Sequence, residues 1–143
     1  MKFKFSLEPV LNYRKTLERN AEIALGREVQ KLVKLEGELQ NLLDEYKNLV
    51  ENRGGVNTRK AERFMDFVGY AQRLKDLISS KKMEIRNQNK EIEKAKVELI
   101  KKTQEKKAIE VVKDSQKATF KLAEKRAEAK QTDEAAGQIF FRK

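Results

Sequence analysis

Two pairs of carboxylates, Glu36 with Glu38 and Glu91 with Glu93, and one glycine stretch, Arg53-Gly54-Gly55-Val56, are where this sequence could support chemistry. Paired carboxylates do general acid and base work when a pocket pushes their pKa values apart. Two residues apart on a helix they point in different directions, with no pocket to shift either, so both pairs read as solvated side chains. A phosphate-cradling loop continues into Gly-Lys-Ser/Thr, which Arg53-Gly54-Gly55-Val56 does not; it reads as a turn. There is no His-Glu-x-x-His, no Gly-x-Ser-x-Gly and no dinucleotide fingerprint. The chain has no histidine and no cysteine. The commonest general base, the commonest metal ligand, thiolate sites and disulfides are thereby missing. The expectation is a protein without catalytic residues, metal or cofactor.

Composition says what kind of scaffold remains. Charged residues make up 39% of the 143, aromatics 7%, and there is one proline. Mean hydropathy is -0.81. Such a chain is too polar for a compact globule. A disordered chain would not space its Leu and Ile regularly, so long solvated helices are expected. The start, Met1-Lys-Phe-Lys-Phe-Ser-Leu-Glu, lacks the apolar run of a signal peptide. No stretch approaches the roughly 20 apolar residues of a membrane span, and a soluble, cytoplasmic protein is expected.

The first helix is predicted over about 7–52. Ser6 suits its N-cap, Glu8 the first-turn dipole and Pro9 a position without a needed N–H. Phe5 and Val10 have the spacing of a hydrophobic staple. Leu32, Leu35, Leu39, Leu42, Tyr46 and Leu49 step by three and four, as in a coiled-coil seam. Leu7, Val10, Leu17, Ala21 and Ala24 follow a similar rhythm, and the mismatch between the two predicts a stutter between Ala24 and Leu32. A glycine turn at 53–57 then reads as the bend of an antiparallel helical hairpin.

The second helix is predicted over about 58–136. Its stripe runs Phe64, Phe67, Ala71, Leu74, Ile78, Lys81, Ile85, Gln88, Ile92, Ala95, Leu99, Lys102, Lys106, Ile109, Lys113, Gln116, Phe120, Ala123, Ala127. Thirteen of those nineteen are apolar, enough to sustain an all-α two-helix coiled coil. With the bend near Gly55 and Val56, residue i should face about residue 111 − i. Leu7 would then face roughly Gln104, and the last third of the second helix would overhang. A lone overhang is marginal in water and either frays or is held by a partner.

The formal charge of +10 falls almost wholly in the second half, which suits either an acidic partner or simple solvation of an exposed helix. Lys101 to Lys130 is basic but broken by Glu105, Glu110, Asp114, Glu124 and Glu128, has more Lys than Arg, and offers no stacking platform. Nucleic acid is therefore not the expected partner. Tyr70, one position off the seam, reads as an amphipathic surface side chain or as a docking residue. Phe3, Phe5, Phe140 and Phe141 lie at the chain ends, where exposed aromatics are candidates for docking.

The opening Phe3-Lys-Phe5-Ser-Leu7-Glu-Pro9-Val-Leu11-Asn-Tyr13-Arg14, followed by Glu18, Ala21 and Leu25, resembles that of the flagellar export protein family FliJ. The closing Thr132-Asp133-Glu134-Ala135 with Phe140 and Arg142 is similar to that family's end. The resemblance implies an antiparallel coiled coil like the central shaft of rotary ATPases. It implies insertion into the hexameric ring of the flagellar export ATPase, promotion of ring assembly, contact with the cytoplasmic domain of the export gate, and binding of export chaperones. The protein would lie at the cytoplasmic face of the inner membrane, peripheral to it. By that resemblance Phe5, Leu7, Leu11, Arg14, Phe140 and Arg142 would meet the ATPase ring. Tyr46, Tyr70, Leu74 and Leu77 would meet the gate; Lys81 departs from the family spacing there. The equivalent stalk of a virulence-type secretion system, a homo-oligomeric coiled-coil scaffold and a basic nucleic-acid-binding rod stand as alternatives.

Overall fold

The computed structural model describes residues 2–52 and 61–142. Among the described residues there are two α-helices and no strand. Helix α1 is Glu8–Glu51, 44 residues. Helix α2 is Ala61–Arg142, 82 residues. The bend predicted at 53–57 and the second helix's predicted start at 58 lie outside the described residues. The first helical hydrogen bond of α1 is donated by the Leu11 N–H to the Leu7 carbonyl at 2.9 Å. Leu7 and not Ser6 therefore occupies the cap position. The Phe5 carbonyl accepts from the Glu8 N–H at 3.1 Å, in a tight turn ahead of the helix.

The two helices pack against each other in two units, Met1–Asn20 with Ile100–Lys143 and Ala21–Leu99. In the second unit the less exposed positions of α1 are Glu38, which flanks the seam, and Ala21, Leu25, Glu28, Leu32, Leu35, Leu39, Leu42, Tyr46 and Leu49 along it. The seam positions step by three and four without interruption from Ala21 to Leu49, so the stutter expected between Ala24 and Leu32 does not occur. An apolar count skipped Glu28, which sits in the seam because its carboxylate and its backbone carbonyl both accept from Gln88, at 2.6 and 2.8 Å. Facing them on α2, Leu74, Ile78 and Ile92 are buried, and Phe67, Ala71, Lys81, Ile85, Gln88, Ala95 and Leu99 are half-buried. From Phe67 to Leu99 the stripe read from the sequence is the stripe that packs, while Phe64 at its start is exposed, as are Gln116, Ala123 and Ala127 further on.

In the first unit Phe5 and Leu11 are buried, and Leu17 and Ile109 half-buried. Val10, the expected staple partner of Phe5, stays exposed. The Phe5 ring lies instead beneath the Lys113 ammonium, 5.9 Å from its centroid. Phe3 packs on Phe120 with centroids 5.5 Å apart.

The facing rule was displaced by about one heptad, or two helical turns. It would have put Arg14 opposite about residue 97 and Glu38 opposite about residue 73. Arg14 meets Glu105 at 2.7 Å, and Glu38 meets Lys81 at 2.7 Å. Sliding one helix past another by seven residues restores the same apolar stripe, so periodicity cannot distinguish the two registers. The consequence is that α2 remains covered as far as Phe120, well past Gln104; residues 121–136 are each exposed.

Candidate functional site

The residues expected at an ATPase ring all lie in the first unit, and its seam has an unusual makeup. Between the buried Leu11 and the unit's edge, α1 offers Glu8, Arg14 and Glu18 to α2. Lys113 pairs with Glu8 at 2.9 Å and Arg14 with Glu105 at 2.7 Å, while Lys106 pairs with Glu18 at 2.9 Å. Lys102 lies 3.8 Å from Glu105, and Lys106 lies 3.8 Å from Glu110. Hydrogen bonds to the Glu18 carboxylate, chiefly from Lys106 and then from Thr103, hold its pKa below the ordinary 4.5. Four basic and four acidic groups are thus interlocked across a seam that elsewhere is mostly aliphatic.

Phe5 and Leu11, at 8% and 2% exposure, are core residues that shape this surface without forming it. Arg14 is spoken for by Glu105. Leu7 is exposed beside Val10, and Tyr13 is 60% exposed. Val10 and Tyr13 were not picked out as surface. The sequence had assigned Leu7 and Val10 to the seam, whereas the seam runs through Leu11, Arg14 and Glu18 and leaves them outside. Phe140, 76% exposed, lies about 40 Å of helix rise beyond Lys113, the residue that covers Phe5. Phe5 and Phe140 therefore do not share one patch. Of Arg142 only the backbone, the last residue of α2, is described.

The residues expected at an export gate lie in the second unit. Leu74, at 2% exposure, is core. Tyr70 and Leu77, seven positions apart on α2, are exposed on one face. The Tyr70 hydroxyl donates to Glu45, and Arg73 stacks 5.9 Å from its ring centroid. That hydrogen bond to a carboxylate raises the phenol's pKa above 10.0. Lys75 sits 5.9 Å from the Tyr46 ring. Tyr46 also lines an open cavity of ≈ 290 Å³ with Val50, Phe64, Phe67, Val68 and Lys75. Glu45, Val50 and Val68 were not anticipated. Exposed apolar residues off the seam were the available signal.

Three of the four carboxylates that opened the sequence reading are engaged in ion pairs. Glu38 meets Lys81, Glu91 meets Lys94 at 3.3 Å, and Glu93 meets Lys96 at 3.4 Å. Among the described residues no group of three or more His, Cys, Asp or Glu could hold a metal ion. Nor is any described helix long and apolar enough to cross a membrane.

The family model described as flagellar FliJ protein matches residues 3–143, nearly the whole chain. The chain belongs to the flagellar FliJ protein family. Its setting is accordingly flagellum biogenesis and flagellar protein export, as a component of the export apparatus. Comparison with curated proteins returns no match. The paired helices of this chain offer polar groups interlocked in one unit and an aromatic-lined cavity in the other.

Proposed function

We propose that this chain is a non-enzymatic central-stalk component of the flagellar export apparatus. It binds the hexameric export ATPase through the first unit and the cytoplasmic domain of the export gate through the second. In doing so it promotes ring assembly and couples ATP hydrolysis to export, and export chaperones are further partners. It works in the cytoplasm, peripheral to the inner membrane through the apparatus.

The single observation that carries the reading is the family match over residues 3–143. The surface chemistry supports it. A shaft held in a ring needs directional polar contacts more than deep apolar grooves, because charged rims steer and orient a partner without locking it. Leu7, Val10 and Tyr13 supply a modest apolar anchor beside Arg14. Around Tyr46 and Tyr70, aromatic side chains with polar tips suit a protein partner better than a small ligand.

The test is ATP hydrolysis by the matching export ATPase with and without an equimolar amount of the chain, with ring formation followed by electron microscopy. Stimulation with ring formation is expected. Arg14→Glu combined with Arg142→Glu should weaken it; Glu105→Gln, which frees Arg14 without reversing it, separates loss of contact from loss of pairing. No stimulation and no association would overturn the reading.

A further inference from the structure

Helix α2 carries a second coiled-coil seam that its partner α1 does not use. Val111, Ala118, Leu122, Ala129, Ala136 and Ile139 belong to a stripe that advances by alternating fours and threes when Ser115, Lys125 and Thr132 are included. Every one of these positions is exposed, Val111 by 66%, Leu122 by 50% and Ile139 by 61%. At about 100° per residue the stripe lies roughly opposite Lys106, Ile109 and Lys113, which face α1. A shallow depression of ≈ 280 Å³ between Ala118, Lys121, Leu122 and Lys125 marks its middle. This heptad stripe is therefore open to a further helix without disturbing the α1–α2 seam.

We infer that the occupant is a second copy of the same α2 stripe, running antiparallel about an axis between Ala123 and Glu124. In that arrangement each layer from Val111 to Ala136 meets a match. Leu122 lies against the stem of the other copy's Lys125, Ala118 against Ala129, Ser115 against Thr132, and Val111 against Ala136. Small residues face small ones, and hydroxyl faces hydroxyl. Beside the seam, Lys121 of each copy faces Glu128 of the other, giving two attractive pairs.

The parallel, in-register alternative is excluded by charge. It would stack Lys125 on Lys125, set Lys121 against Arg126 and set Glu128 against Asp133. Like charges at the flanks of a coiled coil are the usual device against a wrong orientation. The seam is short of large apolar residues, so the association is a weak one that a stronger partner could displace. It does not depend on the export-stalk reading, and either could fail alone.

The experiment is sedimentation of the full chain across the micromolar range, with two sets of variants at exposed positions. The wild-type protein should shift from monomer to dimer with concentration. Leu122→Glu should raise the dissociation constant by about tenfold or more while helix content by circular dichroism stays unchanged. Lys121→Glu and Glu128→Lys should each weaken the dimer, and the two together should restore it.

Orientation is read by cross-linking, since the chain has no cysteine of its own. A mixture of Ala118→Cys and Ala129→Cys proteins should form a mixed disulfide dimer. Each variant alone should form little, because like positions would be about 16 Å apart along the axis. A chain that stays monomeric throughout overturns the proposal. So does a dimer indifferent to Leu122→Glu, or efficient self-cross-linking of either variant alone.

Discussion

Lys81 and Glu38 meet at 2.7 Å across the α1–α2 seam, and the same ammonium also donates to Glu84 at 3.1 Å. A lysine that looked like a flaw in an apolar stripe is thus a fixed contact between the helices. It has counterparts in Gln88 with Glu28 and, in the first unit, Lys106 with Glu18. Polar layers of this kind cost stability compared with aliphatic ones, but they set register. Slide α2 by a heptad one way and Glu38 would face Leu74; slide it the other and Arg14 would face Val112. Either leaves charges against aliphatic groups.

Charge exchange should show this directly. Arg14→Glu and Glu105→Arg are each expected to lower stability by about 1 kcal/mol or less, as for a half-exposed pair. The double variant should recover part of the loss, because opposite charges face each other again while the arginine at 105 lies beside Lys102. Glu38→Lys with Lys81→Glu should recover less in the second unit, because a carboxylate at 81 would lie beside Glu84. Thermal unfolding followed at 222 nm checks both cycles. Strictly additive losses would mean that these pairs do not interact.

The same pairs fix the pH profile. Hydrogen bonds hold the carboxylates of Glu18, Glu28 and Glu38 below the ordinary 4.5, chiefly from Lys106, Gln88 and Lys81 respectively. A depressed acid binds fewer protons folded than unfolded, so its stabilisation is full above 4.5 and fades as pH falls through the folded values. Lys81 is raised above 10.5, first by Glu38 and then by Glu84, and Tyr70 above 10.0 by Glu45. Their contributions are full below those values and are lost as pH rises past them. The melting temperature should therefore be level between about 5 and 9.5 and fall on both sides. Glu38→Gln should flatten part of both limbs, since it removes an acid and the main perturber of Lys81.

How much of this was legible beforehand depended on which physical signal carried it. The α2 stripe from Phe67 to Phe120 was readable because aliphatic residues at threes and fours outnumber the polar ones. The register was not, because a heptad slide leaves that stripe unchanged and only the pairing of Glu38 with Lys81 or Arg14 with Glu105 breaks the tie. Among the site residues, Tyr70 was placed on a surface by its offset from the seam, and Leu77 by family resemblance. Phe5, Leu11 and Leu74 were named as contacts from family resemblance, and their burial makes them supports for a surface instead. Val10 was not read as surface because a false seam through Leu7 and Val10 absorbed it, and Tyr13 was noted only as part of the family-like opening.

Gly26 and Gly37 offer a gain. Both lie inside α1, neither has a positive φ, and an added Cβ at either would meet nothing within 4 Å. Glycine in a helix interior costs about 0.5–1 kcal/mol relative to alanine through backbone entropy. Gly26→Ala and Gly37→Ala should each stabilise by about that amount, and together add, since the sites are three helical turns apart. Chemical denaturation measures it. A loss at either position would mean that the added methyl disturbs the helix or its packing despite the open space around it.

Two buried leucines, one in each unit, let the units be probed separately. Leu11 in the first and Leu74 in the second are both 2% exposed. Truncation to alanine removes apolar contacts that a two-helix layer cannot refill by collapse, at about 2–4 kcal/mol. Around Leu11, though, the neighbouring layers are Glu8 with Lys113 and Arg14 with Glu105, whereas Leu74 has Ile78 and Phe67 on its own stripe. Polar layers contribute less net stability than aliphatic ones, so Leu11→Ala should open its unit locally while Leu74→Ala is better tolerated. Hydrogen exchange read by mass spectrometry should show Leu11→Ala deprotecting residues 8–20 and 100–120 with 61–99 little changed. Deprotection spreading evenly over both units would mean that the seam opens as one cooperative whole.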